Sequence, residues 1–142
     1  QSAVKAVDEN MAAYKIPEAT RALDDFVDEM SNWYVRCNRE RYWGKDMTAD
    51  KVAAYMTLYT ALVTMAKISA PMIPFMTEDI YRNLVCSIDA SAPESVHLCD
   101  FPAVNEAWID TKLEEDMDHV AHIHAAYDNW MCRCIRCFCF RQ

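Results

Sequence analysis

The sequence predicts an all-α fold, an antiparallel bundle of four to five helices. Three observations carry that expectation. Gly44 is the only glycine among 142 residues, whereas sheets closed by tight hairpins draw on glycine at their turns. Apolar residues recur at three-four spacing over long stretches, as in helices with one covered face. Prolines and capping residues fall between those stretches, where helices start and stop. At 53% hydrophobic and 25% charged residues, the chain has the composition of a folded domain with one core of ordinary size.

The first helix is expected to begin near Pro17, which suits an opening turn, with Glu18 beside it at the positive end of the helix dipole. It can run without interruption to about Trp43, with Gly44 as its stop. At 100° per residue, Leu23, Phe26, Val27, Met30, Tyr34 and Cys37 share one wide stripe, the expected core face. Asn32, Arg36, Arg39 and Trp43 share a narrower one, and Trp33 lies between the two.

Thr48 is a good N-cap for a second helix, with Asp50 in its first turn. Val52, Tyr55, Met56, Tyr59, Leu62, Val63 and Ala66 give that helix its apolar face. It must end near Ser69-Ala70-Pro71, because Pro71 biases Ala70 away from helical geometry. Pro74 opens a third helix that ends around Val85. Residues 87–102 form the one long non-helical stretch, and Ser95-Val96-His97-Leu98 reads as extended. A fourth helix starts at Asp110 or Thr111, where Thr111-Lys112-Leu113-Glu114 fits a capping box, and Leu113, Met117 and Val120 carry its inward face. The helical body is assigned to residues 1–125. Residues 126–142 are a cysteine-rich tail, expected to be disordered or atypical.

The formal charge of −8 argues at first against a nucleic-acid partner, but the charge is uneven. Between Asn32 and Lys45 stand four cations (Arg36, Arg39, Arg41, Lys45) and one acid, Glu40. That is a local +3 against −11 for the remainder. An acidic body with one basic patch can aim a polyanion at that patch. Arginine grips phosphate with a planar fork, and an exposed tryptophan such as Trp43 offers a stacking face; splayed RNA loops use both. A solvated basic face with Trp43 closing the core is the plainer reading, and composition alone favours it.

Seven cysteines, an odd number without a secretory leader, point to a reducing cytoplasm. Cys37, Cys86 and Cys99 read as small buried thiols. Cys132, Cys134, Cys137 and Cys139, preceded by His119, His122 and His124, invite a zinc site. Zinc knuckles, however, use well-separated pairs with two-residue gaps, so no metal ligand is assigned. His97 reads as a structural histidine. Asp24-Asp25 and Glu114-Glu115 read as solvated helix surface, since neighbours in sequence face different ways on a helix. One glycine cannot build a phosphate-binding loop. No catalytic residue is assigned, and no cofactor is expected within this chain. No run of about 18 uncharged apolar residues is present, so no membrane partner is expected. The start lacks a signal-peptide layout and an initiating Met, and a piece of something longer is expected.

Three segments carry a resemblance. Ser31-Asn32-Trp33-Tyr34-Val35-Arg36-Cys37-Asn38-Arg39-Glu40-Arg41-Tyr42-Trp43 resembles the Ser-Asn-Trp-Tyr-Val-Arg-Arg-x-Arg-Arg-Arg-Phe-Trp helix of isoleucyl-tRNA synthetases. Ala70-Pro71-Met72-Ile73-Pro74-Phe75, running on to Glu78, Ile80 and Tyr81, resembles that family's proline-flanked turn. Glu94-Ser95-Val96-His97-Leu98-Cys99-Asp100-Phe101-Pro102 resembles its Val-His-Leu loop. Together they span roughly residues 10–120. The resemblance implies the helical anticodon-binding domain of a class I synthetase that couples isoleucine to its tRNA with ATP and Mg. The implied partners are the anticodon stem-loop of isoleucine tRNA and the parent's catalytic domain, in a cytoplasmic monomer. The parent's His-x-Gly-His and Lys-Met-Ser-Lys-Ser signatures are not in this chain.

By the same carry-over, Asn32, Trp33, Arg36, Arg39, Arg41 and Trp43, with Lys45 beside them, become the expected RNA-binding residues, Arg36 and Arg39 first among them. The resemblance reverses the preference for a merely solvated face. Cys37 and Glu40 stand where the family commonly has arginine, which weakens the patch. Beyond about Val120 the likeness lapses except for Arg141-Gln142. Two rivals stay open: a bundle that braces the catalytic domain without touching RNA, and a zinc-binding regulatory domain built on the Cys/His tail.

Overall fold

The computed structural model describes residues 1–120, 122 and 123. These are helical, with turns and extended connections and no strand among the described residues. The chain divides into two compact units, Gln1–Asn105 and Glu106–Gln142. The boundary expected at 125/126 lies outside the described residues.

The first unit opens with a helix that sequence reading missed: α1, Ser2–Ala12. No side chain caps its start, and its stop has no glycine. Tyr14 takes the left-handed conformation instead, at φ 57°. The Tyr14 N–H donates to the Met11 carbonyl at 3.1 Å, and the Lys15 N–H to the Asn10 carbonyl at 2.8 Å. That pair of bonds is the Schellman arrangement, which usually recruits glycine at the left-handed position.

The expected long first helix is in fact three pieces. Helix α2 runs Ile16–Asp28 with proline in its first turn. A seven-residue π segment, Glu29–Val35, follows. Helix α3, Arg39–Trp43, completes the run. Asn38 separates the last two pieces. Its side chain donates to the Tyr34 carbonyl at 2.8 Å, the kind of local bond by which asparagine competes with helix geometry. Gly44 follows α3, as expected, but in extended geometry (φ −51°, ψ 145°).

Helix α4 spans Ala49–Ser69, and Thr48 caps it by accepting from the Lys51 N–H at 3.2 Å. It is the described helix long and apolar enough to cross a bilayer by length and composition. Here its last turn lies in the core and it packs on α3 and α5. Helix α5, Pro74–Tyr81, passes directly into a second π segment, Arg82–Cys86. The expected extended stretch at 95–98 is instead a 3-10 turn, Val96–Leu98. The Ser95 hydroxyl accepts from the His97 N–H at 3.3 Å and so supplies its cap, which an extended segment would have no use for.

The core of this unit is two small clusters. In one, Val4 and Val7 of α1 meet Ala19 and Leu23 of α2 and Ile68 of α4. In the other, Ala70, Tyr81 and Val96 come together, with Val85, Cys86 and Cys99 around them. The expected core stripe of the first helix is covered only in part. Leu23 is buried and Phe26, Met30 and Tyr34 are half-buried, while Val27 and Cys37 are exposed. The π segment rotates everything after it, which accounts for Cys37; Val27 precedes it and lines an open groove. On α4, Val52, Tyr55 and Met56 are likewise exposed, and burial concentrates at Ala54, Ala66, Ile68 and Ser69. Between α2, α4 and α5 lies an open groove of about 790 Å³, lined by apolar residues such as Val27, Met30, Leu62, Met65 and Met76.

Among the described residues of the second unit are a 3-10 turn, Glu106–Trp108, and a helix, α6, at 111–120. Asp110, not Thr111, is its cap: its carboxylate accepts from the Leu113 N–H at 3.1 Å. Leu113, Met117 and Val120, expected inward, are exposed.

Candidate nucleic-acid interface

The basic segment 32–45 is carried by the first π segment, α3 and the loop into α4. Its best-defined feature is a pair on α3. Arg39 places its guanidinium carbon 5.4 Å from the Trp43 ring centroid, at the i,i+4 spacing that stacks side chains on one helix face. Trp43 is 77% exposed, so the flat ring and its cation are both presented outward. A cation over one ring face leaves the other for stacking, and arginine can still donate to phosphate from its edge.

The remaining expected residues are placed differently. Asn32 lies inside the π segment, exposed, with its amide 3.5 Å from the Asp28 carboxylate. Trp33 is half-buried, in keeping with its place between the two stripes, and Arg36 and Lys45 are exposed. Arg41 faces the start of α4. Its Nε donates to Asp50 Oδ2 at 2.7 Å and its Nη2 to Oδ1 at 2.5 Å, while Nη1 donates to Asn38 Oδ1 at 2.7 Å. Asp50 holds the guanidinium proton more tightly than usual, chiefly through that hydrogen bond.

The groups that hold this corner together carry no signal in the sequence. Lys51 donates from Nζ to the Gly44 carbonyl at 2.6 Å, and the Tyr55 hydroxyl donates to the Tyr42 carbonyl at 3.3 Å. Tyr42 and Tyr55 also pack ring on ring at 5.1 Å. Burial, then the neighbouring Tyr34 hydroxyl, which shares the Ala54 carbonyl with it, pushes the Tyr42 phenol up to about 12. Tyr42 therefore stays neutral near pH 7 and adds no negative charge beside the basic segment. The Thr48 cap placed Asp50 in a first turn by sequence alone, but a nine-residue partnership with Arg41 has no sequence signal.

No group of three or more His, Cys, Asp or Glu that could hold a metal ion occurs among the described residues. His119 and His122 are exposed there; His124 and Cys132 to Cys139 lie outside the described residues. Cys37, Cys86 and Cys99 are free thiols, Cys37 exposed and the other two partly covered, so none is the fully buried thiol expected.

Residues 1–130 match the family described as the anticodon-binding domain of tRNA ligase. The chain belongs to that family. Similar curated proteins include the isoleucine–tRNA ligase of Clostridium novyi (strain NT), 53% identical over 115 residues, which cover 81% of this chain and 11% of that protein. That of Clostridium acetobutylicum is 55% identical over 113 residues, 80% of this chain and 11% of that protein. An archaeal example, from Methanosarcina mazei, is 45% identical over 130 residues, 91% of this chain and 12% of that protein. The chain thus spans about 11% of the length of the curated relatives it matches. In this chain the three segments singled out above fall on the π segment with α3, on the α4–α5 turn with α5, and on the 3-10 turn.

Proposed function

We propose that this chain is the module of an isoleucine–tRNA ligase that holds the anticodon stem-loop of isoleucine tRNA. In this reading it performs no chemistry itself. Joining isoleucine to tRNA with ATP and Mg, in the cytoplasm, belongs to the longer enzyme. The observation that carries the proposal is the exposed Arg39–Trp43 pair at the end of α3, in a chain of the anticodon-binding family. Arg36 and Lys45 extend the same basic segment, and Asn32 and Trp33 lie on its approach. Phosphate neutralisation supplies affinity and salt dependence, while Trp43 supplies sequence-tolerant stacking.

The test is an amide-resolved NMR titration of the 142-residue chain with an isoleucine anticodon stem-loop and, in parallel, with a scrambled loop. Expected shifts centre on Asn32, Arg36, Arg39, Trp43 and Lys45 and are larger for the correct loop. Trp43→Ala is expected to weaken binding by about 1–3 kcal/mol. No shift with either RNA at low salt would overturn the proposal in favour of a bundle that only braces its parent enzyme.

A further inference from the structure

The basic segment contains an arginine whose donors are already committed. Arg41 has five N–H groups in a rigid fork. Four are engaged: Nε–H and one Nη2–H grip the two Asp50 carboxylate oxygens, the other Nη2–H donates to the Asp50 carbonyl at 3.1 Å, and one Nη1–H goes to Asn38. Asp50 sits in the first turn of a helix capped by Thr48, where the dipole favours a carboxylate. The contact therefore joins the middle of α3 to a fixed point on α4. It stands beside two further ties across the same corner, Lys51 to Gly44 and Tyr55 to Tyr42.

We infer that Arg41 is a positioning residue for the RNA interface, not a phosphate contact: its bidentate grip on Asp50 sets the angle at which α3 presents Arg39 and Trp43. This rests on the RNA-binding reading above. The fork that would hold a phosphate is filled by a carboxylate of the same geometry, and the pair cancels its own charge. The cation presented to RNA with the exposed Trp43 ring is then Arg39.

The two roles differ in sign. Asp50→Asn makes the chain more positive by one charge. A simple phosphate clamp would bind RNA more tightly after that change, with Arg41 released to join in. A positioned platform would bind more weakly. The experiment measures the affinity of the isoleucine anticodon stem-loop against salt for the 142-residue chain and its Arg39→Gln, Arg41→Gln and Asp50→Asn variants. Arg39→Gln is expected to lower the salt slope by about one unit. Arg41→Gln and Asp50→Asn are each expected to weaken binding by about two- to fivefold, the range of an exposed ion pair, at unchanged slope. In the RNA-free protein, both should move the Trp43 indole N–H resonance in the same direction.

A slope that falls by one for Arg41→Gln, or tighter binding by Asp50→Asn, overturns the inference and leaves the interface standing. An indole resonance that neither substitution moves also overturns it, whatever the RNA does. An unchanged affinity and slope for Arg39→Gln would instead sink the interface reading itself, and the inference with it.

Discussion

Glu78 shows how one side chain can hold a loop in place. From α5 its carboxylate accepts from the Ser95 hydroxyl at 2.8 Å, from the Val96 N–H at 3.0 Å and from Arg82 Nε at 2.8 Å. It thereby pins the start of the 3-10 turn to the helix whose Tyr81 shares a core cluster with Val96. The Ser95 hydrogen bond first, then those of Val96 and Arg82, lower its pKa against the opposing effect of desolvation. A carboxyl with a lowered folded-state pKa stabilises the fold fully above its unfolded value, about 4.3. That contribution disappears as pH falls through the folded value. Urea unfolding followed from pH 7 to pH 3 should therefore show a loss of stability below about pH 4.3 that is smaller in Glu78→Gln. Parallel pH profiles for the two proteins would refute the assignment. Tyr81, held neutral by burial and then by its contact with Cys99, takes no part in that pH range.

Helix boundaries divide into those with a local chemical signal and those without. Helix α4 was legible at both ends because Thr48 is a cap and Pro71 a barrier, and α5 because proline opens it. The all-helical class followed from the single glycine. Helix α1 was not legible, since nothing caps its start and tyrosine does the work of glycine at its stop. A non-glycine residue in the left-handed region costs roughly 1–2 kcal/mol, and Tyr14, 89% exposed, has almost no packing to offset it. Tyr14→Gly is accordingly expected to raise stability by about 1 kcal/mol, read as a higher urea midpoint at constant slope; a lower midpoint would contradict the strain argument. Within the candidate site, the Arg39–Trp43 pair could be read from four-residue spacing. The Arg41–Asp50 contact could not, because a tertiary bond between two helices leaves no periodic trace. The 3-10 turn at Val96–Leu98 was misread as extended for a related reason: the Ser95 cap and the Glu78 partnership outweigh the strand-like composition of three residues.

On the scale of the whole first unit, the covered interior is small and divided. Val7, Ala19 and Ile68 are at most 2% exposed, yet Val27 and Met76, along the neighbouring groove, are 42% and 60% exposed. Stability thus rests on a few residues where α1, α2 and the end of α4 converge. Ile68→Ala is expected to cost about 2–5 kcal/mol, measured by urea unfolding, whereas Met76→Ala should cost less than half as much. Equal costs would mean that the groove is closed in solution. The first π segment has a consequence of its own for how this unit can vary. A helical rod without it would carry one rotational phase from Leu23 to Trp43, so any change that improved the buried end would swing the displayed end too. An inserted residue advances the phase by about 100° without disturbing either terminus. The chain works as two dials on one shaft: the inner one is set by packing against α1, and the outer one is free to be set by whatever Arg39 and Trp43 must meet.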